Sequence, residues 1–290
     1  MRSEHEMMNL IMNKAKGDDR IRAVIMNGSR ANPNAPKDFF QDYDIVYIVR
    51  DIASFTCDHG WIKIFGEMMI LQMPNTMGII SDHDDGSFIY LMQFMDGNRI
   101  DLNLVPVEKA DQLIERDSES ILLLDKDGII EPFLPASDAD YIIKRPTGKV
   151  FADCCNEFWW LCPYVAKGIW RDELPYTMMT YDMYVRDMLM KMLKWHIGIR
   201  TGFTVSEGKC GKYFKKLLEP EMWDMYAKTY SDGNYEHMWE ALFTAGNLFR
   251  IAANKVAGYF GYEYPSGDDE RVTAHLKLVR NLPKSASEMY

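Results

Sequence analysis

The sequence predicts a two-domain α+β chain, with strands and helices mixed in the first half and helices alone in the second. Three observations carry that expectation. Short β-branched or alternating apolar runs, separated by turn residues, recur through the first ~135 residues. Pro132, Pro135 and Pro146 then interrupt a stretch of weak periodicity. Beyond residue 148 the apolar spacing is helical, and tryptophan and methionine are frequent. The expected boundaries are 1–135 for the first domain, 136–147 for a linker and 148–290 for the second domain.

Met7, Met8, Leu10, Ile11 and Ala15 predict an opening helix over 4–16. The run 21–26 predicts a strand entering a turn at Asn27-Gly28. Asn32-Pro33-Asn34-Ala35-Pro36 must be a loop. Strands are expected over 43–49, 68–73, 87–95 and 99–105, with Asp96-Gly97-Asn98 turning the last two into a hairpin. A helix is expected over 108–116. The second half reads as helices over 150–167, 174–201, 209–218, 220–230, 235–260 and 270–282, with Gly202, Gly233 and Gly261 at helix ends. The sequence holds no internal repeat and no low-complexity tract.

The bulk numbers exclude several function classes. The chain has 290 residues, 47% of them apolar, enough for one large or two smaller domains. Its net charge of -10 argues against a phosphate-backbone binder, which needs a basic stripe, so no nucleic-acid partner is expected. An acidic surface attracts cations instead, polycationic small molecules included. No apolar run approaches the ~20 residues of a membrane helix, so no membrane partner is expected. Met1-Arg2-Ser3-Glu4-His5-Glu6 carries acids and no apolar core, unlike a signal peptide. Five cysteines, an odd number without framework spacing, predict reduced thiols in a cytoplasmic protein. The sequon at Asn27-Gly28-Ser29 means nothing without export.

The chemistry concentrates in the first domain. Asp42 and Asp44 alternate on a strand, so both point to one face. Bare, two such carboxylates repel each other. A hard divalent cation, held by one or two carboxylates plus substrate phosphates, resolves that repulsion. Asp101, on a later apolar run, is placed to join them in the sheet, and three carboxylates around a triphosphate form the protein half of a two-metal site. Upstream, Gly28-Ser29-Arg30 suits a phosphate: glycine lets the backbone approach, the Ser29 hydroxyl and N–H groups donate, and Arg30 forks onto oxygens. The plainer reading, an Asn-Gly hairpin, fails because a Pro-rich loop follows instead of a returning strand. Gly208-Lys209-Cys210-Gly211-Lys212 is not a phosphate-binding P-loop, since Tyr213 fills the place of the required hydroxyl residue; it reads as a helix start.

The pattern G-S followed by D-x-D and a third carboxylate resembles the polymerase-β-like nucleotidyltransferase superfamily. Nearly the full length resembles the aminoglycoside 6-adenylyltransferases, the streptomycin-modifying family. The segments that carry the likeness are Asn27-Gly28-Ser29-Arg30-Ala31-Asn32, Phe40-Gln41-Asp42-Tyr43-Asp44-Ile45, Asp96-Gly97-Asn98-Arg99-Ile100-Asp101-Leu102 and Leu123-Leu124-Asp125-Lys126-Asp127. It continues through Lys144-Arg145-Pro146-Thr147, Cys154-Cys155-Asn156-Glu157-Phe158-Trp159-Trp160, Trp195-His196-Ile197, Met238-Trp239 and Leu242-Phe243. The resemblance implies a mixed β-sheet flanked by helices, a C-terminal all-α helical bundle, MgATP as donor and a streptomycin hydroxyl as acceptor.

On a helix, Asp153, Glu157, Trp160 and Tyr164 share one acidic and aromatic face. Such a face suits guanidinium groups, which streptomycin carries, through charge-assisted hydrogen bonds and cation–π contact. The plainer alternative makes the aromatics core and pairs Asp153 with a surface lysine; for Trp159 core is preferred. Asp182/Arg186 and Asp187/Lys191 stand four residues apart on a long helix, the spacing of solvated ion pairs. The functional alternative has Asp182 facing the drug and one lysine, Lys191 or Lys194, reaching ATP phosphates. Asp82-His83-Asp84-Asp85-Gly86 lacks the closing Glu of a calcium loop and reads as an ordinary acidic loop. No His/Cys set has zinc spacing, His196 reads as a packed helix residue, and the methionines as core filler or pocket lining.

The expected enzyme is thus a cytoplasmic O-adenylyltransferase. Asp42 and Asp44 hold Mg²⁺, Ser29 and Arg30 grip phosphates, and Asp101 is a third metal ligand or, preferred, the general base. Rival readings are the same transfer to another antibiotic or a protein side chain, and a nucleotide-binding regulatory module without turnover.

Overall fold

The structure is a computed structural model that describes residues 1–79, 85–114 and 118–289. The chain divides into two units, Met1–Asp140 and Tyr141–Tyr290.

In the first unit, helix α1 (Glu4–Gly17) opens on a capping box: Ser3 Oγ accepts from the Glu6 N–H, and Glu6 Oε2 accepts from the Ser3 N–H at 2.7 Å. Six strands follow: β1 (Ile21–Asn27), β2 (Tyr43–Val49), β3 (Met68–Gln72), β4 (Phe88–Phe94), β5 (Arg99–Pro106) and β6 (Ser120–Asp125). They form one mixed sheet in the order β3-β4-β5-β2-β1-β6. Among the described residues only the central pair β2/β5 is parallel; every other neighbour is antiparallel.

Alternation sorts the side chains of the central strands into two layers. Tyr43, Ile45, Tyr47 and Val49 of β2 join Ile100, Leu102 and Leu104 of β5 in the larger core, which α1 covers through Met7, Ile11 and Ala15. Val46, Ile48 and Val105 face the other way, into a small core with Ala23, Ile25, Ala110 and Ile130. Asp44 and Asp101 belong to that second face, just beyond where its apolar cover ends. Two short α-helices, α2 (Ala53–Thr56) and α3 (Ala110–Leu113), and several 3₁₀ segments, His59–Phe65 among them, complete the described part of the unit.

The second unit is helical: α4 (Gly148–Arg171), α5 (Leu174–Thr180), α6 (Arg186–Arg200), α7 (Phe214–Leu217), α8 (Pro220–Ala227), α9 (Tyr235–Phe260) and α10 (Ser266–Asn281). Thr147 caps α4 by accepting from the Val150 N–H at 3.2 Å. Its inner face, with Phe158 stacked on Phe249 of α9 at 3.9 Å between ring centroids, builds one large core. Among the described residues no helix is long and apolar enough to cross a membrane.

Several expectations need correction. Strand β6 was not foreseen, because Ser-Ile-Leu-Leu-Leu-Asp shows no alternation; its pairing with β1 decides its conformation. Of the predicted helix over 108–116, the described part is a 3₁₀ turn, Val107–Lys109, followed by the single turn of α3, and 115–116 lie outside the described residues. The predicted helix over 174–201 is three pieces, with a π-helical turn, Tyr181–Val185, between α5 and α6. The span 209–218 holds a 3₁₀ turn, Lys209–Gly211, and α7, since positive φ at Cys210 (56°) and Gly211 (73°) breaks the helix. Gly261 does cap α9 at φ 71°, whereas Gly233 precedes that helix and closes none. Asp82-His83-Asp84, the core of the acidic loop, lies outside the described residues.

Candidate active site

Strand pairing creates the first cluster. Asp44 on β2 and Asp101 on β5 are register partners in the parallel pair. Asp42 precedes β2 by one residue and, by alternation, faces the same way. On the other side of β2, Asn27, the last residue of β1, is the partner of Asp44. The chain then turns through Gly28–Arg30 directly against that carboxylate. Gly28 has φ 72°, and a Cβ there would stand 2.5 Å from Asp44 Oδ2. Glycine is required twice over, for its conformation and for the approach.

The turn is stitched to the strand that carries the aspartates. Gln41 Nε2 donates to the Ser29 carbonyl at 3.1 Å and to Ser29 Oγ at 3.3 Å. Arg30 donates from Nε to the Asp42 carbonyl at 3.0 Å and from Nη2 to the Gln41 carbonyl at 2.8 Å. Its guanidinium also lies over the Tyr43 ring at 3.8 Å, with Glu4 Oε2 3.5 Å from Nη1. Arg30 is therefore spent on shaping the Asp42 loop, an employment different from the phosphate fork the sequence suggested.

Arg99, a residue to which sequence reasoning gave no role, forks onto Asp101. Nε and Nη2 donate to Oδ1 and Oδ2, each at 2.7 Å, and Nε stands 3.6 Å from Asp42 Oδ2. The signal was present: in a strand, R-x-D puts both side chains on one face. Burial raises the Asp42 carboxyl above its ordinary value; Arg99 opposes that shift and Asp101 adds to it. One strand step further, Asn103 Oδ1 is buried without a hydrogen-bond partner.

These residues fit a hard divalent cation. The face gathers carboxylates whose mutual repulsion a cation relieves, and Arg99 already stands as a positive charge between Asp42 and Asp101. Among the described residues no three potential ligands close into a ready-made cage.

The second cluster lies within the helical unit. A groove of about 530 Å³ is lined by Lys149, Asp153 and Glu157 of α4 and by Met188, Lys191 and Trp195 of α6. It brings together Asp153, Glu157 and Lys191 of the residues singled out from sequence. Asp153 is paired with Lys149 at 2.6 Å, and Lys191 with Asp187 at 2.9 Å. Lys194 is engaged elsewhere, on Glu207. Trp160, 62% exposed, and Tyr164 meet edge-to-face at 6.3 Å between centroids, outside the residues that line this groove. Asp182 sits on the π turn, 3.6 Å from Nε of buried Arg186, which is fixed by Thr229 and the Tyr230 ring. Trp159 is core, its Nε1 donating to Tyr264 Oη at 3.1 Å. His196 is packed as expected, with Nε2 2.9 Å from Glu219.

The Streptomycin adenylyltransferase family profile matches residues 1–279. The chain belongs to that family. It is 43% identical over 271 residues to an aminoglycoside 6-adenylyltransferase of Campylobacter jejuni, covering 93% of each chain. With the enzyme of that name from Bacillus subtilis (strain 168) it shares 41% identity, covering 93% of this chain and 95% of the relative. A crystal structure of an aminoglycoside 6-adenyltransferase from Bacillus subtilis aligns with 36% sequence identity and a TM-score of 0.48, over 97% of this chain and 100% of that one. Membership makes this chain a nucleotidyltransferase.

Proposed function

We propose that the enzyme transfers AMP from MgATP to a hydroxyl of streptomycin and releases pyrophosphate, in the cytoplasm. The observation that carries the reading is the register of Asp44 with Asp101 beside a glycine turn at positive φ that packs against the Asp44 carboxylate. Asp42 and Asp44 would hold the magnesium ion, with Asp101 close by. The ion, when bound, supplies positive charge to the triphosphate as pyrophosphate departs. Gly28 and Ser29 offer backbone N–H groups and a hydroxyl to phosphate oxygens. Arg30 keeps Asp42 in place through the Gln41 and Asp42 carbonyls. Asp101 accepts the proton of the attacking hydroxyl, which meets the α-phosphorus in line with the leaving pyrophosphate. Catalysis is then mostly positioning and charge stabilisation.

For the acceptor, the α4/α6 groove supplies Glu157 and Asp153 to guanidinium groups, with Trp160, Tyr164 and Asp182 as outlying contacts. Of the two lysines offered for the ATP phosphates, Lys191 lines this groove and is paired with Asp187, while Lys194 is paired with Glu207. The net charge of -10 suits a polycationic acceptor.

The test is incubation with MgATP and streptomycin, read by mass spectrometry for the AMP adduct and by pyrophosphate release, alongside other aminoglycosides. An adduct on streptomycin is expected. Transfer only to another acceptor would overturn the substrate, and transfer to none would overturn the chemistry.

A further inference from the structure

Arg99 and Asp101 stand two residues apart on β5, so their side chains leave the same face of the sheet. The guanidinium takes both oxygens of Asp101, at 2.7 Å each, and reaches towards Asp42 at 3.6 Å. A carboxylate held by such a fork has its charge matched and its lone pairs occupied, so it attracts a cation poorly. The Arg99 side chain is 38% exposed, so it can swing to another partner through solvent. The other group that fits a guanidinium fork is a phosphate, and the account above brings a triphosphate to this face.

We propose that Arg99 is a nucleotide-gated cap on Asp101. In the free enzyme it neutralises the carboxylate face and keeps bare divalent cations off it. The arriving triphosphate draws the guanidinium onto its phosphate oxygens. Asp101 is unmasked only once the nucleotide is present, and Arg99 then helps hold the phosphates. This inference rests on the reading of Asp42, Asp44 and Asp101 as the cation and nucleotide site.

Two binding measurements on the full chain test it, without turnover. Mn²⁺ alone is titrated by electron paramagnetic resonance. An α,β-methylene ATP analogue is titrated by calorimetry in saturating Mn²⁺. Arg99→Gln should bind Mn²⁺ alone at least about tenfold more tightly and the analogue at least about tenfold more weakly, the floor set by a hydrogen bond to a charged group. Arg99→Lys keeps the charge and loses the fork. It should fall between the two on metal and side with Arg99→Gln on nucleotide. Melting curves establish that both variants are folded. Opposite signs for metal and nucleotide are the signature of a cap that changes partner.

Unchanged Mn²⁺ affinity in Arg99→Gln overturns the proposal. Tighter Mn²⁺ binding with unchanged analogue affinity also overturns it, because Arg99 is then a fixed counter-ion. Absence of saturable Mn²⁺ binding to every protein, with or without the analogue, overturns the cation reading of the three aspartates and the cap with it.

Discussion

The two clusters are built by different rules. Asp44 and Asp101 are distant in sequence and become neighbours only because β2 and β5 pair in parallel with one register. A slip of one residue would send one of them to the opposite face. Asp153 and Glu157 are neighbours by helical spacing alone, and the groove they line takes its far wall from α6. The strand site is tightly specified: the glycine turn closes on Asp44, and Arg30 stitches the loop that carries Asp42. The helical groove is less tightly specified, with Asp153 paired to Lys149 and Lys191 to Asp187 within their own helices. Rigid placement suits phosphorus chemistry, where geometry sets the rate. A looser charged groove suits recognition of a flexible cation.

That contrast predicts graded effects. The largest belongs to Asp44→Asn, which removes the charge proposed to hold the cation while keeping the shape; kcat should fall at least ~100-fold, as on loss of a main electrostatic stabiliser. Near-normal turnover with Mg²⁺ would end the metal assignment. Gly28→Ala should come next, since a Cβ 2.5 Å from Asp44 Oδ2 must push the carboxylate aside. A displacement of that order costs up to ~100-fold in rate, and the strain at positive φ costs about 1–3 kcal/mol of stability. Steady-state kinetics with a melting curve read both; an unchanged kcat would show that the approach of the turn is incidental.

Glu157→Gln should weaken streptomycin binding by ~10- to 150-fold, the worth of a hydrogen bond to a charged group, with ATP affinity and melting temperature unaltered. Reduced stability with unchanged drug affinity would make Glu157 structural. Trp160→Ala should raise KM for the drug only ~2- to 5-fold, as for an exposed cation–π contact; no change would strike Trp160 from the acceptor contacts.

The smallest effect is on stability and again separates the units. Burial pushes the His196 imidazole below its ordinary value, and Glu219 only partly offsets that. The folded state therefore binds fewer protons there than the unfolded chain as pH falls through the ordinary histidine range, and stability drops with acidification. In the first unit Asp18, hydrogen-bonded by Arg20, is held well below the carboxylate range, so its contribution persists until strong acid. Melting between pH 7 and 5 should show a decline that His196→Gln flattens. An equal decline in the variant would place the sensitive group elsewhere.

The sequence was most readable where one residue type answers one physical need. The D-x-D on an apolar run, the hairpin turn at Asp96-Gly97-Asn98 and the bounds of β2 all follow from alternation and turn chemistry. What escaped was decided by tertiary partners. β6 has no periodicity of its own and exists as the edge partner of β1. The π turn at Tyr181–Val185 is held by Tyr181 Oη on the Thr229 carbonyl and by Arg186 among Tyr226, Thr229 and Tyr230, none of which lies nearby in sequence. Arg30 shows the limit for side chains: a cation in a phosphate-like turn is consistent with a phosphate grip, yet its donors go to backbone carbonyls.

The central claim is that a strand-built nucleotide site and a helix-built acceptor site divide the work. Calorimetry on Asp44→Asn and Glu157→Gln, each titrated with MgATP and with streptomycin, tests it most directly. A crossed pattern is predicted: Asp44→Asn loses MgATP affinity and keeps streptomycin, while Glu157→Gln keeps MgATP and loses streptomycin. Loss of both ligands by either folded variant, or full streptomycin affinity in Glu157→Gln, would contradict the account.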